Sequence, residues 1–279
     1  MTRPDSVISQ CISGIALVVS DLDRAVAFYR DALDFKLDAR EPHDEPPSTE
    51  ALSLGGVVLR LTRFETPGAH YPADRAANDP WFQHFAIRVA DMDEAYARIS
   101  RWPISAISIG GPQQLPPSTG SVTAYKFRDP DGHPLELSFH PGEPATPSGS
   151  PFVTIEHSAI VVSDLDASIA FYVGQLGFVE VKRLLNQGPA QWRLDGLDGA
   201  LVDIVVLRPQ GSGPHLELLH YRAPTSMRRP RTFSNSDLAA TRLLIDLIPV
   251  SPNRSERSGR IVVDPDSHLV ELIGMETQP

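Results

Sequence analysis

Apolar residues along the chain cluster into four blocks, each opening on a short run that reads as a strand. In the first block, IALVV (15–19) is β-branched, bounded by Ser20 and Asp21, and predicted to be a largely buried strand. Leu22, Ala25, Val26, Tyr29 and Leu33 then keep i, i+3, i+4, i+7 spacing, which predicts a helix as far as Asp34 with Ser20 or Asp21 as its cap. Extended runs follow at 35–40, 51–54 and 57–64, with Gly55-Gly56 as a hairpin turn. The result is one βαβββ unit.

The pattern repeats. Residues 65–81, rich in Pro, Ala, Gly and Asp, read as a connecting loop. A second unit has a strand at 82–89, a helix at 92–101 and strands near 106–109, 122–128 and 135–139. PGEPATPSGSP (141–151) is a linker by composition. A third unit spans 154–221 and a fourth 238–273, the latter too short to carry its helix. Residues 11–35 align with 154–178 without a gap, and FRDPDGHPLEL (127–137) aligns with VVDPDSHLVEL (262–272), so the halves are repeats. The expected division is an N-terminal domain 1–140 holding units 11–64 and 82–140, the linker 141–151, and a C-terminal domain 152–279 holding units 154–221 and 238–273.

Composition narrows the partners. Over 279 residues the formal net charge is -10, which disfavours nucleic acid and anionic membranes, and the basic cluster at 227–231 is too short to reverse that. Cys11 is the only cysteine, so no internal disulfide forms and a reducing compartment is favoured. The opening MTRPDSVISQ lacks a signal-peptide core, and no run approaches 18 apolar residues. The expectation is a cytoplasmic monomer or homodimer whose partner is a small-molecule substrate.

Candidate chemistry sits at the strand openings and closings of the two inner units. His84 opens FQHFAIRV, Glu136 closes GHPLELSF, His157 opens IEHSAIVV and Glu217 closes PHLELLHY. Two imidazoles and two carboxylates make an N2O2 set for a borderline divalent metal. Ala86 and Ala159 share faces with the histidines and leave room above them, while leucines flanking Glu136 and Glu217 fill the opposite face. By the same alternation Arg88, His140 and His215 share faces with these residues and are candidate substrate contacts. His133 and His268 belong to DPDxH turns and read as structural. Tyr29 and Tyr172 read as helix packing, and the two SDLD turns as caps. There is no glycine-rich phosphate loop, nucleophile elbow or cysteine zinc pattern.

The paired openings VVSDLDRAVAFYRDALDF and VVSDLDASIAFYVGQLGF, with the DPDxH closings, resemble the vicinal oxygen chelate superfamily of glyoxalase I, bleomycin resistance proteins and extradiol dioxygenases. The resemblance covers nearly the whole chain. It implies an α+β fold of tandem βαβββ units forming two open cupped β-barrels, with the fourth unit truncated. It also implies that ligands come from the first and last strands of each unit. Carried over, Gly14 stands where His157 stands, Arg60 where Glu217 stands, and the fourth unit offers Ala240 or Thr241 at the opening and Glu271 at the closing. If units pair in sequence, the candidate ligands are divided between two cups. If unit two pairs with three and one with four, His84, Glu136, His157 and Glu217 share one cup and the other is blank; this is the preferred arrangement, because one full and one blank set is harder to reach by accident.

The activity so implied is a glyoxalase-I-like lyase or isomerase. Its divalent ion (Ni, Zn, Co, Mn or Fe(II)) would stabilise an enediolate, with Glu217 or Glu136 as base. An Fe(II) extradiol-type dioxygenase is the alternative, although its second histidine would be drawn from the fourth unit, where LAATRLLID has none. A non-catalytic binder of the bleomycin-resistance kind is the third reading. Glutathione dependence does not follow from any residue.

Overall fold

The computed structural model describes residues 9–38, 47–81, 83–143, 149–227, 232–248 and 257–275. The basic cluster at 228–231, the middle of the predicted linker and the fourth-unit segment 249–256 lie outside the described residues.

The first unit runs β1 (Ser9–Val18), α1 (Leu22–Ala27), β2 (Lys36–Leu37), β3 (Ser48–Leu54) and β4 (Val57–Arg63). Asp21 caps α1 by accepting from the Arg24 backbone N–H. The helical run continues to Leu33, as its period predicts, but it widens into a π-turn at Phe28–Ala32. Adjacent Phe28 and Tyr29 are both fully buried there, and a wider turn brings two neighbouring rings to the core side. The second unit comprises β5 (Gln83–Val89), α2 (Met92–Ile99), β6 (Ser105–Ala106), β7 (Gln113–Gln114), β8 (Thr123–Arg128) and β9 (Pro134–Phe139).

The third unit has β10 (Phe152–Val161), α3 (Leu165–Ile169), β11 (Val179–Gln187), β12 (Leu201–Arg208) and β13 (His215–Ala223), together with an unforeseen helix, α4 (Pro189–Asp195), between β11 and β12. The fourth keeps β14 (Arg242–Ile248), β15 (Arg257–Val263) and β16 (Leu269–Met275), with no helix among its described residues.

These strands form two open sheets. One has the order β15-β16-β14-β1-β4-β3-β2, the other β11-β12-β13-β10-β5-β9-β8-β6 with β7 on β8. Units two and three therefore share a sheet through the antiparallel β5–β10 pair, and units one and four share the other through β1–β14.

Polar turns tie the units the other way. In the first DPDxH turn, Asp131 accepts from the Ser20 hydroxyl at 2.5 Å and Asp129 accepts from the Tyr29 hydroxyl at 2.8 Å. His133 Nε2 lies 3.0 Å from the Val18 carbonyl. The second turn does the same for unit three, with Asp266 to Ser163, Asp264 to Tyr172 and His268 Nε2 to the Val161 carbonyl. The SDLD and DPDxH motifs are thus two halves of one joint, buried where unsatisfied polar groups would be costly. Among the described residues no helix is long and apolar enough to cross a membrane.

Candidate metal centre

Strand register sets the site. Along the shared sheet, Glu217 of β13, Ala159 of β10 and His84 of β5 lie opposite one another. The next row holds His215, His157, Ala86, Glu136 and Lys126, one from each of β13, β10, β5, β9 and β8. Residues directly opposite in a ladder point to the same face, so both rows project into the same cup. Ala159 in the first row and Ala86 in the second carry small side chains that leave space above the sheet.

That space is a cavity of about 260 Å³. His84, Glu136, His157 and Glu217 all line it. The first three are strongly buried, at 2%, 8% and 7% exposure. His84 Nε2 is 3.3 Å from Glu136 Oε2, and His157 Nε2 is 3.8 Å from Glu217 Oε2. The two imidazoles meet edge to face at 5.8 Å between centroids. Donor atoms of His84, Glu136 and His157 lie within 4.8 Å of one another, as do those of His157, His215 and Glu217.

The electrostatics of the two histidines diverge. Burial pushes His84 below its usual value. Burial opposes charge on His157 too, but Glu217, Glu156 and Glu136 outweigh it and hold the ring at about 9. For Glu136 and Glu217 burial again works against the ion, and the adjoining imidazoles, with Lys126 beside Glu136, overcome it; Glu217 falls to about 2. The three carboxylates that line the cavity, Glu136, Glu156 and Glu217, are thus held as anions against their burial. Two imidazoles and two carboxylates converging on one cavity are a donor set that fits a divalent metal.

Several neighbours have no counterpart among the residues singled out from the sequence. Lys126 is buried, with Nζ 2.7 Å from Asp195 Oδ1 and 3.7 Å from Glu136 Oε2. Asp195 also accepts from Gln191, whose own side-chain oxygen accepts from Asn186, so α4 and β11 brace the lysine from behind. The hairpin register of β8 and β9 would have placed Lys126 beside Glu136, but α4 gave no periodic signal. Glu156 also faces the cavity, although simple alternation sends it to the opposite side from His157. A β-bulge between Ile155 and His157 turns both inward.

The candidate substrate contacts fare differently. His140 and His215 line the cavity, His140 Nε2 lying 3.0 Å from Glu156 and His215 Nε2 3.3 Å from Glu217. Arg88 does not; it pairs with Glu143 at 2.5 Å and borders a separate, shallower hollow with Arg208. Two residues further along β5 than Ala86, it reaches out past the rim.

The other sheet repeats the geometry with different chemistry. Arg242 and Arg60 both stand opposite Ala16, as His84 and Glu217 stand opposite Ala159, and Glu271 stands opposite Leu244 as Glu136 stands opposite Ala86. Arg242 therefore occupies the His84 position, which corrects the assignment to Ala240 or Thr241. Counting from the sequence across a unit without its helix slips by one or two residues. The Arg60 guanidinium is ion-paired with Glu271. At Gly14, the His157 position, an added Cβ would lie 2.3 Å from the Val58 carbonyl oxygen, so no imidazole can be built there.

With fold and site in view, comparison with known proteins defines the class. The family model "Glyoxalase/Bleomycin resistance protein/Dioxygenase superfamily" matches residues 12–137 and 154–272. The chain belongs to that superfamily. It is similar to the lactoylglutathione lyase GLX1 of Arabidopsis thaliana, 28% identical over 171 residues, which are 60% of this chain and 54% of the relative; the match thus spans about half of that relative's length. It is 32% identical over 126 residues to the uncharacterized protein YaeR of Escherichia coli, covering 44% of this chain and 91% of YaeR. Among solved structures, glyoxalase I from Zea mays superposes with a TM-score of 0.64 at 20% identity, over 95% of this chain and 92% of that one, a likeness of fold.

Proposed function

We propose that this chain is a metal-dependent lyase or isomerase of the glyoxalase I type, acting on a small molecule with neighbouring oxygens. The observation that carries the reading is the convergence of His84, Glu136, His157 and Glu217 on one cavity from four strands of one sheet. Nickel, zinc, cobalt, manganese or iron(II) suits these donors. When bound, such an ion supplies Lewis acidity, lowering the cost of negative charge that develops on substrate oxygens as the adjacent carbon loses its proton.

The side chains divide the remaining work. Glu136 is held between His84 and Lys126, which suits a fixed ligand. Glu217, less buried and flanked by His215, stands at the cavity wall, where its carboxylate can reach a substrate proton as the base. His140 and His215 offer ring nitrogens to substrate oxygens. Val202, Ile204, Val206 and Leu219 form an apolar wall for the carbon side of the substrate and limit water. The single cysteine supports a cytoplasmic setting.

The first test is metal content and stabilisation. Protein purified without added metal should carry, or take up, one divalent ion per chain and gain thermal stability from it. Failure to gain stability from any of the five ions would favour a metal-free binder. The name of the Arabidopsis relative suggests lactoylglutathione turnover as the first assay, expected in the loaded protein and lost in Glu217→Gln.

A second reading rests on one observation: His84, His157 and Glu136 form a compact group of two imidazoles and one carboxylate, as do His157, His215 and Glu217, and this is the ligand type of non-haem iron oxygenases. Oxygen uptake with a catechol, dependent on iron(II), separates the two.

A further inference from the structure

Resting on the metal reading above, we propose that Glu156 is a positioning residue that holds the Nδ1 edge of His157 and so aims its Nε2 edge at the metal. Its placement is the starting point. Consecutive strand residues alternate faces, so a glutamate directly before an inward histidine belongs on the outer side. The bulge between Ile155 and His157 cancels that alternation and brings both side chains into the cup.

Once inside, the carboxylate is itself fixed. Glu156 Oε2 accepts from the Ser138 hydroxyl at 2.6 Å, and His140 Nε2 lies 3.0 Å from Oε1. Oε2 faces His157 Nδ1 at 3.8 Å, while His157 Nε2 faces Glu217. Nδ1 is buried and makes no hydrogen bond among the described residues. The charged group that faces it is this carboxylate, 3.8 Å away. A ligating imidazole performs best when its other nitrogen donates to a fixed acceptor, because that sets the tautomer and the ring angle together.

The blank cup supplies an internal comparison. Its β1 strand carries the same bulge, between Ile12 and Gly14, with Ser13 in the extra position bonded to Asp246 at 2.8 Å. The bulge thus belongs to the fold in both cups. A carboxylate fills the extra position only in the cup where the next residue is an imidazole. Ser138 and His140 then belong to a chain of contacts, from both to Glu156 and from Glu156 to His157, which extends the role of His140 beyond touching substrate.

The test uses cobalt(II) alone on the full chain, reading affinity, stoichiometry and the visible ligand-field spectrum. Glu156→Ala is expected to keep one ion per chain, lower affinity by about 10- to 100-fold and shift the spectrum, because His157 loses its fixed angle. Glu156→Gln, which keeps shape and an acceptor oxygen, should fall between it and the parent. Ser138→Ala should show a smaller loss in the same direction. Melting of the metal-free variants checks that each is folded, and Glu156→Gln decides the matter if Glu156→Ala does not fold. Unchanged affinity and spectrum in the folded Glu156 variants would overturn the proposal. So would complete loss of stoichiometric binding matching His157→Ala, which would make Glu156 a direct ligand. If the parent chain itself takes up no cobalt, the metal reading fails and this inference fails with it.

Discussion

His84 and His157 meet edge to face at 5.8 Å across the β5–β10 ladder, although one belongs to the second unit of the chain and the other to the third. The candidate site therefore straddles a seam between the two halves, with one imidazole and one carboxylate supplied from each side.

Removal of either imidazole should accordingly have the same outcome. His84→Ala and His157→Ala are each expected to abolish stoichiometric binding of a divalent ion, measured by elemental analysis and calorimetry. Full-affinity binding in either variant would reject the shared site.

Lys126 and Asp195 form a buried ion pair beneath Glu136. Replacing the lysine leaves a buried carboxylate without its cation, so Lys126→Met should cost about 3–5 kcal/mol in urea unfolding. Adding Asp195→Leu removes the orphaned charge and should recover part of the loss. A single variant as stable as the parent would show that the pair is not supporting the cup.

The joint at His133 predicts a pH dependence. Burial opposes its charge, but Asp129 outweighs that and raises the ring above its usual value. A group whose folded-state value is raised stabilises fully below its unfolded value, about 6.5, and loses that contribution as pH climbs through the folded value. Asp129 is shifted down despite its burial, by contact with His133 and Tyr29, so its contribution is present above its unfolded value of about 3.9 and fades as acid carries the pH through the lower folded value. Urea midpoints should therefore decline on the alkaline side of about pH 6.5, and His133→Gln should flatten that decline. Parallel profiles for parent and variant would sink the assignment.

Gly14 separates packing from chemistry. Gly14→Ala drives a Cβ against the Val58 carbonyl and should destabilise by about 1–3 kcal/mol through overpacking. Metal stoichiometry should be untouched, because the affected cup carries Arg60, Arg242 and Glu271 in place of a ligand set. Reduced metal binding in a folded variant would contradict the division of labour between cups.

Much of this is legible in the linear chain. β-branched openings, helical spacing and the gapless repeat locate the units, and the inner histidines and glutamates stand out because they recur at equivalent places. The SDLD turns read as caps, with Ser20 or Asp21 offered in the first, and it is Asp21 and Asp164 that cap their helices. Other features have no local signature. The π-turns at Phe28–Ala32 and Ala170–Gln175 interrupt an i, i+3, i+4 pattern that continues unbroken in the letters, and Glu156 turns inward only because a bulge adds a residue to one strand and not to its partner. Arg242 is missed by counting along the chain because the shortened unit removes the helix that anchors the count.

By itself, then, the sequence determined the repeated units, their capping and turn motifs and the residue types available for chemistry, since propensity, periodicity and turn residues act over a few positions. Which strands lie side by side, which face a bulged residue takes and which glutamate a buried lysine adjoins were decided only in three dimensions. Those choices come from the packing of faces contributed by distant segments, and the β5–β10 pairing across the linker joins strands of units two and three into one sheet.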